Sequence, residues 1–179
     1  PAVFALGCNA SFVARSVDIE AKHLTAVLKR AADHQGTTFT EVYQNCNVFN
    51  DGAFDSFTAK DVKADRTLLV EHGKPLLFGA QRNQGLRLNA RTMGLEVVTI
   101  GDNSITEEDI LVHDETNPIL ANLLARMPYP QFPVALGVLY ATNRISYETA
   151  VVEQKQRTTE KQGVGQLAKL LSSGETWTV

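Results

Sequence analysis

Several features that would place this sequence quickly are scarce or missing. Of its 179 residues only two are cysteine (Cys8 and Cys46), one is tryptophan and six are proline. Two thiols cannot build a disulfide scaffold, and without a CxxC pair they cannot complete a thiolate cage from this chain alone. Lys and Arg number 17 against 20 Asp and Glu, a net charge of −3. The basic excess of a general nucleic-acid-binding module is therefore missing. No apolar run approaches the ~20 residues of a membrane span. Residues 1–8 lack the basic n-region of a secretory signal. GxGxxG, GxxxxGK[ST] and HExxH are absent, so the usual dinucleotide, P-loop and zinc-protease signatures are not available. No internal repeat is found. What is present is 44% hydrophobic and 21% charged residues, enough for a sizeable core and unlike a disordered chain. The expected class is a soluble, cytoplasmic α/β protein of one domain, with or without an extension.

The apolar run Ala10–Arg15 reads as a buried strand. Ser16 or Asp18 can cap the helix that follows. Its apolar residues Leu24, Val27, Leu28 and Ala31 recur at helical spacing, predicting a helix from about Asp18 to His34 that ends near Gly36. The β-rich segment Thr37–Gln44 comes next. Strand, helix and strand within about 35 residues read as a βαβ unit with a parallel strand pair. In such sheets ligands gather beyond the carboxyl ends of the strands, and Cys46 lies just past that end. Asn45 to Gly52 is a turn-forming loop. Ala53 to Phe57 suggests a short helix. Thr67–Glu71 and Leu76–Gly79 suggest a hairpin about His72–Pro75. Ala80 to Gly94 reads as a polar, basic stretch. Leu95–Ile100 is a strand candidate, and Ser104 or Thr106 marks a short helix start. Pro118 to Arg126 is a helix with Ile119, Leu120, Leu123 and Leu124 as its stripe. Val134–Tyr140 is the last strand, and a polar helical tail runs from Ser146.

Cys46 is the most informative residue. A thiol on a polar loop beyond a strand suits three roles: a structural thiol, a metal or cluster ligand, or a nucleophile or redox partner of Cys8. A nucleophile needs a nearby base, and no local His pattern supplies one. His23 and His34, on the first helix, read as exposed. His72 lies in a turn. His113, beside Asp114 and Glu115, reads as part of a solvated loop. The Gly79–Gly85 loop carries Arg82. It reads as a solvated basic loop, with contact to a carboxylate or phosphate as the alternative.

Five strings, in order, carry a family resemblance: Ala10-Ser11-Phe12-Val13-Ala14-Arg15-Ser16, Lys22-His23-Leu24, Gln44-Asn45-Cys46-Asn47-Val48-Phe49-Asn50-Asp51, Gly73-Lys74-Pro75-Leu76-Leu77-Phe78-Gly79 and Gly85-Leu86-Arg87-Leu88. Together they resemble the β subunit of the 2-oxoacid:ferredoxin oxidoreductases, closest to the 2-oxoglutarate enzymes, from about Ala5 to Tyr140. The resemblance implies a thiamine-diphosphate-dependent oxidoreductase subunit. Such enzymes oxidatively decarboxylate a 2-oxoacid with coenzyme A to acyl-CoA, carbon dioxide and reduced ferredoxin. Their cofactors are thiamine diphosphate, Mg2+ and a [4Fe-4S] cluster.

In the family, the thiamine-diphosphate motif and three of the four cluster cysteines precede the Ser-Phe-Val-Ala-Arg string. Here the chain begins after them, so the resemblance is to a C-terminal half. Cys46 alone carries over, matching the fourth cluster ligand; no catalytic or cofactor-binding residue does. The resemblance divides the chain into three parts. Residues 1–49 are the C-terminal part of a thiamine-diphosphate-binding α/β parallel-sheet domain, 50–142 the family's C-terminal domain, and 143–179 a helical polar tail. It implies as partners an α subunit, the N-terminal half of the β subunit, ferredoxin, the 2-oxoacid and coenzyme A, with no nucleic acid or membrane. The chain alone is not expected to be catalytically competent, and its cut sheet is expected to associate. A start at Pro1 fits a processed Met-Pro terminus or a split chain. The competing function is a non-catalytic interaction or assembly protein using the same fold.

Overall fold

A computed structural model describes residues 1–175 and Trp177. It divides into two units, residues 1–144 and 145–179.

The first unit is organised by one strand. β1 (Phe12–Val17) has every residue buried, the pattern of a strand covered on both faces. It pairs parallel with β2 (Thr38–Tyr43), joining Arg15 to Glu41 in register. Between them runs α2 (Ala21–Asp33), so the expected βαβ unit is present. On its other side β1 pairs antiparallel with β7 (Val134–Ala141), and β7 pairs parallel with β3 (Thr67–Val70). The sheet order is β2-β1-β7-β3. It is mixed, and residues 1–49 and 50–142 share it. Gly137, at φ 129°, is needed where β7 and β3 meet: an added Cβ would lie 2.5 Å from the Val70 carbonyl oxygen.

Two layers cover the sheet. On one face α1 (Ala2–Gly7) and α5 (Pro118–Ala125) pack over Val13, Leu68, Ala135 and Leu139. Asn117 caps α5 by accepting from the amides of Ile119 and Leu120, at 3.0 and 3.2 Å. Leu120, Ala121 and Leu124 are among its buried residues, while Ile119 faces solvent. On the other face Val27 of α2 packs on Phe12, Ala14 and Val138. Leu28, in the predicted stripe, is exposed, and Val27 is the residue of α2 that is buried. α2 ends on an extended His34 whose ring meets the Ser11 hydroxyl at 2.9 Å. Gly36 is required just beyond, where a Cβ would strike that hydroxyl.

The predicted hairpin about His72–Pro75 does not form. β3 joins the main sheet, whereas β4 (Leu77–Phe78) pairs with β5 (Gln84–Asn89). Residues 73–76 instead bond to residues 111–113: Leu76 N–H donates to Leu111 and His113 N–H to Lys74. The basic stretch 80–94 contains β5, which pairs antiparallel with β6 (Gly94–Thr99). Its basic appearance misleads because Arg87 is answered across the pair by Glu96, Nε to Oε1 at 2.7 Å. The remaining helices of this unit, α3 (Asp55–Thr58) and α4 (Lys63–Arg66), are single turns. Thr106 caps a 3-10 turn over Glu107–Asp109 through a capping box. The second unit holds α6 (Tyr147–Gln162), helical from Ser146 as expected, capped by the Ser146 side chain and with no buried residue, and α7 (Leu167–Leu171).

His113 is fully buried, not solvated. Its Nε2–H donates to the Val138 carbonyl at 2.8 Å. Nδ1 is left as a buried lone pair with no partner. Burial, only partly offset by that bond and by Glu115 and Asp114, lowers its pKa. The proton is taken up more readily by the unfolded chain, so stability is full above about pH 6.5 and is lost as pH falls toward the folded value. A His113→Gln variant is expected to show a shallower acid slope of unfolding free energy, flatter by up to about 1.4 kcal/mol per pH unit. Urea titrations between pH 7 and pH 5 check this, and an unchanged slope excludes His113 as the source.

Arg15 gives a second prediction. Its Nε meets Glu41 Oε2 at 2.6 Å with both side chains about nine-tenths out of water. Its guanidinium lies 5.6 Å from the Tyr43 ring centre. Arg15→Ala strands the Glu41 carboxylate and is expected to cost about 3–5 kcal/mol. The double variant Arg15→Met/Glu41→Leu should recover much of that loss in denaturant unfolding. A double variant as unstable as the single one counts against the pair.

Candidate functional site

The carboxyl ends of β1 and β2 carry two features, a thiol loop and a cleft. The loop follows directly from β2. Asp18, the first residue past β1, accepts from the Ile19 amide at 2.8 Å and the Asn45 amide at 3.0 Å. Its own N–H donates to the Tyr43 carbonyl. The two strand ends are thereby tied together. Asn45 then closes the loop on itself. Its Nδ2 donates to Asn47 Oδ1 and Asp51 Oδ1 at 2.8 and 2.9 Å, and its Oδ1 accepts from Gly52 N–H at 2.9 Å. This is the local turn-making chemistry for which Asn and Asp are suited.

Within this clamp Cys46 and Asn50 form a one-pair bridge, Asn50 N–H donating to the Cys46 carbonyl at 2.9 Å. The partly exposed thiol is free of any disulfide. Backbone N–H groups of Phe49, then Val48, with a smaller share from Asn50, hold its pKa below the usual thiol value against a small opposing effect of burial. A ring of amides around a sulfur favours the thiolate, the form that binds metal. Val48 and Phe49, at the loop tip, are 80% and 90% exposed. The flanking amides of Asn45 and Asn47 are not among those donors. Asn45 acts by shaping the loop.

The other candidates separate from this loop. Cys8 is an exposed, free thiol at the end of α1. Among the described residues no three His, Cys, Asp or Glu side chains converge as a metal site. His23 and His34 are partly buried and bonded rather than exposed, His23 Nδ1 to Ser16 Oγ at 2.8 Å and His34 to Ser11. Burial lowers the pKa of both. His72 is exposed in its turn, and its Nδ1 accepts from the Glu115 amide at 3.2 Å.

The cleft encloses about 550 Å³. Val17, Phe57, Leu69 and Leu136 give it apolar walls, and His23, Lys63, Lys74 and Arg82 reach it from four separate segments. Arg82 of the Gly79–Gly85 loop thus faces a concavity rather than open solvent alone. Sequence reading could not find this cleft, because its residues come together only through the β7–β3 pairing. The one available signal was Arg82 in a loop bounded by glycines.

No family model matches the chain. Among curated proteins it is 36% identical over 184 aligned positions to 2-oxoglutarate oxidoreductase subunit KorB of Mycobacterium tuberculosis (strain ATCC 25618 / H37Rv), covering 100% of this chain and 48% of that subunit. Among solved structures it superposes with a TM-score of 0.59 on 2-oxoglutarate:ferredoxin oxidoreductase from Magnetococcus marinus with 2-oxoglutarate, coenzyme A and succinyl-CoA bound. That match covers 98% of this chain and 44% of the other at 16% identity, a likeness of fold. The chain spans about half the length of the proteins it matches. Sequence likeness over every part of the chain and a shared fold agree: this chain resembles about half the length of a 2-oxoglutarate oxidoreductase subunit.

Proposed function

We propose that this chain forms the C-terminal half of a β subunit in an enzyme that oxidatively decarboxylates a 2-oxoacid, such as 2-oxoglutarate. Coenzyme A is the acyl acceptor and ferredoxin the electron acceptor. The likeness to a 2-oxoglutarate oxidoreductase subunit across the whole chain carries the reading. The partners are an α subunit and the N-terminal half of the β subunit, which together supply what this chain does not contain.

Within that assembly Cys46 provides one thiolate to a [4Fe-4S] cluster. The donor set fits: a partly exposed thiol whose pKa is lowered by the backbone amides of Phe49, Val48 and Asn50 suits a cluster thiolate, whose potential such hydrogen bonds raise. The other ligands lie outside this chain. No residue here is assigned to thiamine diphosphate or Mg2+. When bound, thiamine diphosphate supplies the carbanion chemistry of decarboxylation and the cluster removes electrons singly. This chain's contribution is to hold Cys46 Sγ at the sheet edge. Asp18 and Asn45 fix the loop.

In the assembled enzyme, Cys46→Ser is expected to remove or alter the EPR signal of the reduced cluster and to abolish 2-oxoglutarate-dependent ferredoxin reduction. Cys8→Ser should leave both intact. An unchanged signal and rate in Cys46→Ser would take Cys46 out of the site and favour an interaction protein built on this fold. The clamp is testable in the chain alone. Asn45→Ala should speed amide hydrogen exchange at Val48, Phe49 and Asn50 several-fold without lowering the melting temperature by more than a few degrees, and protection equal to the parent's would show that Asn45 does not order the loop.

A further inference from the structure

The cleft has no part in the cluster-ligand reading, yet it has the makings of a site. A volume of about 550 Å³ is of the size that small ligands fill. Its wall includes Leu69, 57% exposed on a strand of the main sheet, and Phe57 stands nearby with its ring 5.7 Å from that of Tyr43. Apolar surface of this kind inside a concavity is a place for an apolar body.

The polar groups are unequal. Lys63 Nζ is bound to Glu20 Oε1 at 2.6 Å, so that cation and that carboxylate answer each other. Lys74 and Arg82 make no ion pair among the described residues. Glu71 is the other carboxylate lining the cleft. Two unanswered cations therefore face one unanswered carboxylate. Arg82 is also held in place. Its backbone takes φ 52°, and its loop is fastened to α4 by Gly79 N–H on the Ala64 carbonyl and Ala80 N–H on Asp65 Oδ1, each at 2.8 Å.

Two further features favour negative charge. α2 begins at the cleft, where Glu20 makes no side-chain cap. The amides of the first turn and the positive end of the helix are thus left without a capping carboxylate. His23, in that first turn, has Nδ1 engaged by Ser16, which leaves Nε2 as the ring nitrogen to meet a ligand.

We propose that this cleft binds a small organic anion, its carboxylate or phosphate held between Lys74 and Arg82 and its apolar body laid on Phe57, Leu69 and Leu136. The site is separate from Cys46 and needs no cluster. Calorimetric titration of the full chain with phenyl phosphate, benzoate and benzyl alcohol tests it. At least one anion is expected to bind tenfold or more tightly than the alcohol, and the tighter of the two names the headgroup as phosphate or carboxylate. Lys74→Gln/Arg82→Gln, two exposed positions, should erase that margin while leaving the melting temperature unchanged. Equal affinity for the alcohol, undiminished anion binding in the double variant, or no saturable binding of any probe overturns the proposal. The last outcome points to a polypeptide as the cleft's occupant.

Discussion

Arg15 sits in the middle of the sheet, on a strand whose six residues are all buried, and its charge must be answered there. Glu41 answers it from the adjoining strand at 2.6 Å, and the Tyr43 ring flanks it. The carbonyl of Ala125 at the carboxyl end of α5 stands 3.5 Å from the guanidinium, where a helix presents negative partial charge. A buried guanidinium is tolerated only with partners of this kind. The constraint therefore sets the β1–β2 register, because sliding β2 by one residue would turn Glu41 to the opposite face. It also places the end of α5 over the sheet. A correct register brings the two strand ends level, which lets Asp18 reach Asn45.

Function is built on that levelled edge. The thiol loop is ordered from below by Asp18 and from within by Asn45. The cleft opens along the same edge because β7 runs antiparallel to β1, bringing the starts of β3 and β7 beside the end of β1. One edge thus presents a thiolate position and, separately, a cationic concavity with apolar walls. The proposed cluster role concerns the first alone. The second is left to side chains that the sheet gathers from four segments.

Local patterns were legible where local physics decides. The βαβ unit, the helical tail from Ser146, the helix opening at Pro118 and the loop after β2 could be read because propensity and turn chemistry act over a few residues. Misreadings arose where distant residues changed the meaning of a segment. Arg87 makes β5 look like part of a polar, basic stretch until Glu96 is set opposite. His113 looks exposed beside Asp114 and Glu115, yet its own ring turns inward to the Val138 carbonyl. Thr67–Val70 looks like half of a hairpin, but the buried partner it finds is β7, from the far end of the same unit.

Linear order alone was enough to establish an α/β chain, to set Cys46 just beyond a parallel strand pair, and to carry the resemblance to an oxidoreductase β subunit. Each rests on spacing or on strings of adjacent residues. The partner of β3, the burial of His113, the Asn45 clamp around Cys46 and the cleft containing Lys74 and Arg82 emerge only once the chain is folded. They depend on which strand faces which, and that choice comes from the burial of apolar surface summed over the whole sheet.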